Sequence, residues 1–219
     1  FEASLKSGVP TPEGTEEVRL PTDNLTDLLA ESYGVAFIKA NPSGPQKIDG
    51  ENSIKAPSAD MAQELINEKI NAGLVIPQFS NKDIRISQDD SIKAQINYLN
   101  TINQSWLLNF KDIKTPLSQA LSNFSEDQNP QGLNSYITAI GKYVDNLLAT
   151  PTPSILSSLH LENLNLWKKQ LSIYQSIVDL DGDPLKTILA INELQETLEQ
   201  LDLLDQIMNS KLRSLSLNK

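Results

Sequence analysis

A chain of 219 residues, 39% of them hydrophobic and 21% charged, is long enough to bury one substantial core. Its net charge of −10, with Lys168-Lys169 as the only adjacent basic pair, argues against nucleic-acid binding and against docking on an anionic membrane surface, both of which need a cationic footprint. The absence of cysteine excludes disulfides, thiolate catalysis, thiolate zinc sites and iron–sulfur clusters.

Residues 1–22 (FEASLKSGVPTPEGTEEVRLPT) hold three prolines, two glycines and four glutamates among few apolar anchors, the composition of a solvated linker. The first residue is Phe rather than Met, so the stretch is expected to be a fragment, a mature form or a trimmed chain. Asp23 is placed to cap a helix over 24–40, with Leu25, Leu28, Leu29, Val35, Phe37 and Ile38 as its apolar set. Residues 41–57 read as a polar loop rich in Pro and Gly. Ser58 caps a second helix, carried by Met61, Leu65, Ile66 and Ile70 and ended by Gly73. The stretch 74–87 alone has strand character, because Ile84 and Ile86 alternate with charged residues. Pro77 confines any strand there to an edge, so an isolated extended segment over helices is expected.

Ser87, Asp89 and Asp90 supply acceptors for a helix running through Ile92, Ile96, Leu99, Ile102, Trp106 and Leu107 to Phe110. Four helix starts of one kind follow: Thr115-Pro116, Asn129-Pro130, Thr152-Pro153 and Asp183-Pro184. In each, a side-chain oxygen can accept from a free N–H of the first turn, and proline brings a φ already suited to the helix. The four helices are expected to run to about Asn123, through Leu148, to about Asp179 and to Leu215. In the last two, Leu159, Leu166 and Ile173 recur every seven residues, as do Leu164, Leu171 and Val178. Ile191, Leu194, Leu198, Leu201, Met208, Leu212 and Leu215 follow 3/4 spacing, interrupted by Asp205. The short link from Leu180 to Asp183 forces these helices antiparallel. Trp167 and Tyr174 broaden the apolar face of the first of them, which is therefore expected at the centre. The fold class predicted is all-α: an irregular bundle of five to seven helices closed by a long C-terminal antiparallel helical hairpin. It forms a single domain over 23–219, with a possible N-terminal subregion 23–87 and a main bundle 88–215.

Reactive constellations are sparse. His160 is the only histidine, too few for a histidine metal cage, and is expected partly buried or at the surface near a helix start. Asp179, Asp181 and Asp183 alternate like the opening of a calcium loop. Pro184 then stands where that loop needs Gly, and Ala190 where it needs Glu. The string reads as an interhelical turn with Asp183 as a cap, against a weak divalent site. The pairs Glu16-Glu17, Asp89-Asp90 and Glu126-Asp127 lie in the linker or near helix ends. No nucleophile elbow, phosphate loop or dinucleotide fingerprint is present, and no cofactor is expected. Trp106, Trp167, Phe110, Tyr136, Tyr143 and Tyr174 fit a core or the lining of a groove. Leu203 and Leu204 crowd two sides of the last helix and would form an interaction surface if both were exposed.

The segment ILSSLHLENLNLW followed by DGDPLKTILAINELQETLEQLDLL, within residues 133–205, resembles uncharacterised, N-terminally membrane-anchored helical envelope proteins of bacteria with reduced genomes. The resemblance implies a membrane span, a polar linker and a helical body outside the cytoplasm. The expected function is thus a non-enzymatic interaction or structural domain of a bacterial cell envelope, displayed on an N-terminal tether. It would have a protein partner or self-associate, and meet the membrane only through an anchor upstream of Phe1. Two other readings stay open: a soluble helical small-ligand binder or enzyme using carboxylates in an interhelical groove, and a cytoplasmic adaptor or subunit.

Overall fold

In the computed structural model the described residues are 24–44, 46–48, 51–72, 74, 76–180 and 182–217. The linker 1–22, the cap expected at Asp23, the helix end at Gly73 and the carboxylate of Asp181 lie outside them, as do the side chains of Ile66 and Ile70.

Seven α-helices make up the described fold. Helix α1 (Leu25–Ala40) starts at Asn24, whose side-chain oxygen accepts from the Asp27 N–H at 2.9 Å, so the observed cap falls one residue after the expected one. Only Ala36 of α1 is fully buried, and Val35 and Ile38 face solvent. The 41–57 stretch is more than a loop: β1 (Gln46–Ile48) and β2 (Glu51–Ser53) pair as an antiparallel hairpin. Ser58 then caps α2 (Ala59–Ala72) through the Met61 N–H at 3.2 Å.

The 74–87 segment lies extended across the bundle. Asn165 clamps it by accepting from the Phe79 N–H at 2.7 Å and donating to the Phe79 carbonyl at 3.2 Å. Ile84 plugs into the core, while Ile86 is exposed. Among the described residues its one strand pairing is a two-residue parallel bridge between β3 (Ile86–Ser87) and β4 (Thr152–Pro153).

Helix α3 (Ile92–Phe110) is capped by Ser91, through the Ala94 N–H at 3.2 Å, rather than by Ser87. Asp89 braces that cap by accepting from the Ser91 N–H. Asp90 turns away and accepts from the Ile155 N–H at 3.1 Å and from the Ser154 hydroxyl. Helix α4 (Leu117–Asp127) opens after Pro116 with no side-chain cap and runs past Asn123 to a left-handed Gln128, φ 54°. Helix α5 (Gln131–Ala149) follows Pro130, with Asn129 accepting from the Gln131 N–H. Thr152-Pro153 opens no α-helix. Thr152 is fully buried in the bridge, a 3₁₀ turn spans Ser154–Leu156 with Asp90 as its acceptor, and α6 (Ser157–Val178) begins beyond it.

Helix α7 (Pro184–Leu217) returns along α6, and this hairpin is the most extensive contact in the fold. Helix α5 covers a second side of α6, with α4 and α3 against α5, so α6 is central as expected. Leu133, Leu147, Leu164 and Ile173 have no exposed surface and mark the middle of the core. On α7 the inward seam is Leu189, Ala190, Leu194, Thr197, Leu201, Leu204 and Met208. Ile191 and Leu198, expected inside, lie about a third of a turn off that seam and face outward.

Asp183 joins the two ends of the described chain. Its carboxylate accepts from the Lys186 N–H of α7 at 3.2 Å, and from the Leu25 N–H (2.8 Å), Thr26 N–H (3.2 Å) and Thr26 hydroxyl (2.8 Å) of α1. The Thr26 hydroxyl in turn accepts from the Leu185 N–H at 3.0 Å. Two positive helix ends thus converge on one carboxylate.

Candidate functional site

The inner face of α6 is only in part the leucine stripe that the heptads predict. Leu164, Leu171 and Ile173 are buried, whereas Leu159, Leu166 and Val178 are half-buried. Also turned into the bundle are His160, Asn163, Trp167, Gln170 and Tyr174, a repeat of alternating three and four. In the sequence, Trp167 and Tyr174 read as part of the apolar face, and the polarity of His160, Asn163 and Gln170 masks the rest of the repeat.

Polar groups in a core need partners. His160, expected partly buried or at the surface near a helix start, does lie in the first turn of α6 but is fully buried, with Nδ1 2.8 Å from the Tyr98 hydroxyl and the two rings edge to face. Burial pushes its pKa down to about 4, so the imidazole is neutral at neutral pH. Burial also raises Tyr98, against which Thr152 works by hydrogen bonding to its oxygen. Lower on α6 the Gln170 amide donates to the Tyr174 hydroxyl. Three buried atoms of this seam have no hydrogen-bond partner among the described residues: His160 Nε2, Asn163 Nδ2 and Gln170 Oε1.

Asn163 differs from the other two because it lines a cleft. The cleft, of about 410 Å³, is walled by α3 (Leu99, Ile102, Asn103, Trp106), α5 (Tyr143), α6 (Asn163, Trp167) and α7 (Leu201 to Leu212). Its aromatic residues belong to one cluster. Trp106 stacks on Phe110 at 5.2 Å, and Tyr143 meets Trp167 edge to face at 5.2 Å. Of the six aromatic candidates, Trp106, Tyr143 and Trp167 line the cleft, while Phe110, Tyr136 and Tyr174 belong to the core or pack against it. Burial pushes the Tyr143 phenol up to about 12; the neighbouring Asn163 side chain opposes the rise and the Asp205 carboxylate adds to it. Asp202 and Asp205 form an acidic rim, held by Gln206 and Asn209, each donating at 2.8 Å. Among the described residues no lysine or arginine lines the cleft.

The other candidates are dispersed. Both oxygens of Asp183 are committed to the two helix starts, and Asp179 folds its carboxylate over Gly182. Burial raises the Asp183 pKa, but the N–H groups of Leu25, Thr26 and Lys186 and the Thr26 hydroxyl outweigh it, and the net shift is downward. Among the described residues no three His, Asp or Glu side chains are grouped to hold a metal. Leu203 is exposed, whereas Leu204 is 2% exposed and sits in the core, so the two do not form one surface. Helix periodicity decides this, since adjacent residues differ by about 100°.

Fold and site define an all-α bundle with a polar seam and an acidic, aromatic cleft between four of its helices. Comparison with protein-family models, curated proteins and solved structures finds no match to it.

Proposed function

We propose that this chain is a non-enzymatic interaction domain of a bacterial cell envelope, displayed on an N-terminal tether, and that α7 receives an amphipathic partner segment with basic flanks. The observation that carries the reading is the outer flank of α7. There Ile188, Ile191 and Leu198 are 51%, 54% and 37% exposed and share the helix face with Glu199 and Asp202. Apolar side chains set among carboxylates suit a helix with leucines on one face and lysines beside them. The composition of residues 1–22 and the resemblance of the C-terminal half support the tether and the envelope. No helix among the described residues is long and apolar enough to cross a membrane, so on this reading the anchor lies upstream of Phe1.

The test is fluorescence anisotropy of the whole chain with a labelled Leu/Lys amphipathic helix and a Leu/Glu counterpart. Saturable binding of the first is expected, weakened by salt and lost when Ile191→Glu and Leu198→Glu are combined. Equal binding of the Leu/Glu peptide, or indifference to the substitutions, overturns the reading. Protease shaving of intact cells carrying the full-length gene checks the location: a protected domain refutes display outside the cytoplasm. The cleft supports a second reading, in which the same domain binds a small molecule between α3 and α7.

A further inference from the structure

We infer that the cleft between α3, α5, α6 and α7 is a binding site for a small amine: a primary ammonium group, an aromatic or aliphatic body, and a hydroxyl or carbonyl oxygen at the far end. The deep end asks for an oxygen. Asn163 is 2% exposed, lines the cleft, and its Nδ2 donor, though beside the Tyr143 hydroxyl, has no partner within hydrogen-bonding geometry among the described residues. An oxygen placed there would satisfy that donor. The rim asks for a cation. Asp202 and Asp205 are the only charged residues on the lining, and an anion would meet two carboxylates with no counter-charge. The walls suit the body between these ends. Trp106, Trp167 and Tyr143 offer apolar area, and their negative ring faces favour a cation nearby. The volume falls within the range of about 300–1,000 Å³ common for small-molecule sites.

The cleft and the partner surface share Asp202, but Ile188, Ile191 and Leu198 are absent from the cleft lining, so substitution of Asp205 probes the cleft and substitution of Ile191 and Leu198 the partner surface. The other two unpartnered atoms do not enter the cleft, since His160 and Gln170 lie elsewhere along α6.

The chain has two tryptophans, Trp106 and Trp167, and both line the cleft, so selective tryptophan fluorescence reports occupancy directly. The probe is tyramine, titrated into the whole chain beside three relatives that each lack one feature: tyrosol without the charge, phenethylamine without the far hydroxyl, and 4-hydroxyphenylacetate with the charge reversed. Tyramine is expected to give a saturable change, tyrosol to bind at least about tenfold more weakly, and the acid not at all. Phenethylamine should be several-fold weaker than tyramine. Asp205→Asn, on the exposed rim, should weaken tyramine about tenfold. Asn163→Leu should make tyramine and phenethylamine bind alike. Should Asn163→Leu fail to fold, Asp205→Asn with the four probes still decides the matter. No saturable change with tyramine in the millimolar range, equal binding of tyrosol, or indifference to Asp205→Asn overturns the inference and leaves a cleft filled by water alone.

Discussion

Helix α1 and the α3–α7 bundle are held by different forces. The bundle buries Leu133, Leu147, Leu164 and Ile173 completely, and its cohesion scales with apolar area removed from water. Helix α1 buries only Ala36, and its attachment to the bundle is largely polar: one carboxylate, Asp183, bridging two helix starts. Apolar burial is non-directional and spread over many side chains, whereas a shared cap is local and can be lost at one atom. The molecule should accordingly open in two steps, α1 first and the bundle later.

The sharpest way to break the comparison is to truncate one side chain in each part. Leu147→Ala removes a side chain with no exposed surface and should cost about 2–5 kcal/mol, read as a lower urea midpoint. Val35→Ala on α1, where Val35 is 46% exposed, should change global stability by less than about 0.5 kcal/mol. Similar losses at the two positions would mean that α1 is part of the cooperative core.

Acid should separate the two parts by pH. His160 ionises at about 4 in the fold against 6.5 in a free chain, so the unfolded state binds the extra proton between those values. Stability is then full above pH 6.5 and falls as pH drops towards 4, by about 3 kcal/mol in all. The Asp183 pKa is lowered instead, so its contribution is present above the ordinary carboxylate range and is lost only as pH falls through a still lower value. Urea midpoints from pH 7 to 4 should slope steeply in the native chain and flatten in His160→Gln. A slope unchanged by that substitution would assign the proton to another group.

How much of this was legible follows from how local each signal is. The order and number of helices, and the antiparallel pairing of the last two, came from 3/4 periodicity and proline-primed starts, which neighbouring residues determine. Several caps did not. Thr152 fits a cap in the sequence, but in the fold it bridges to Ile86, and Asp90 supplies the acceptor to the turn that follows. Nothing within a helical turn of either residue announces that exchange. The α6 seam is an intermediate case, because Trp167 and Tyr174 read as part of an apolar face, while the polarity of His160, Asn163 and Gln170 disguised the rest of the repeat. The cleft was legible only in fragments: Trp106, Tyr143 and Trp167 fit groove lining, but the cleft exists because Leu99 and Leu212, more than a hundred positions apart, face the same space. The double role of Asp183 was half legible, its cap on α7 evident and its hold on α1 not.

That hold provides the next test. Asp183→Ala leaves the N–H groups of Leu25, Thr26 and Lys186 without their acceptor, and should cost about 2 kcal/mol, the upper end for a cap. The loss should concentrate in α1. Amide exchange over residues 25–40 is expected to speed up strongly, while the amides of α5 and α6 keep their protection. Uniform acceleration across the chain would show that the carboxylate supports the bundle itself.

The smallest effect distinguishes the two regions most cleanly. Gly34 in α1 and Gly141 in α5 both lie inside helices, and a Cβ added at either meets no heavy atom within 4 Å. Alanine at each should therefore stabilise its helix by up to about 1 kcal/mol, by restricting the unfolded backbone rather than by adding contacts. The gain has different destinations. In α5, which unfolds with the core, Gly141→Ala should raise the urea midpoint of the whole chain. In α1, which opens earlier, Gly34→Ala should slow amide exchange over 25–40 and leave the global midpoint where it was. One substitution of identical chemistry thereby reads out whether a helix shares the cooperative unit or only leans on it. If Gly34→Ala raises the midpoint as much as Gly141→Ala does, the Asp183 bridge couples α1 to the bundle as tightly as burial would, and the two-step opening is wrong.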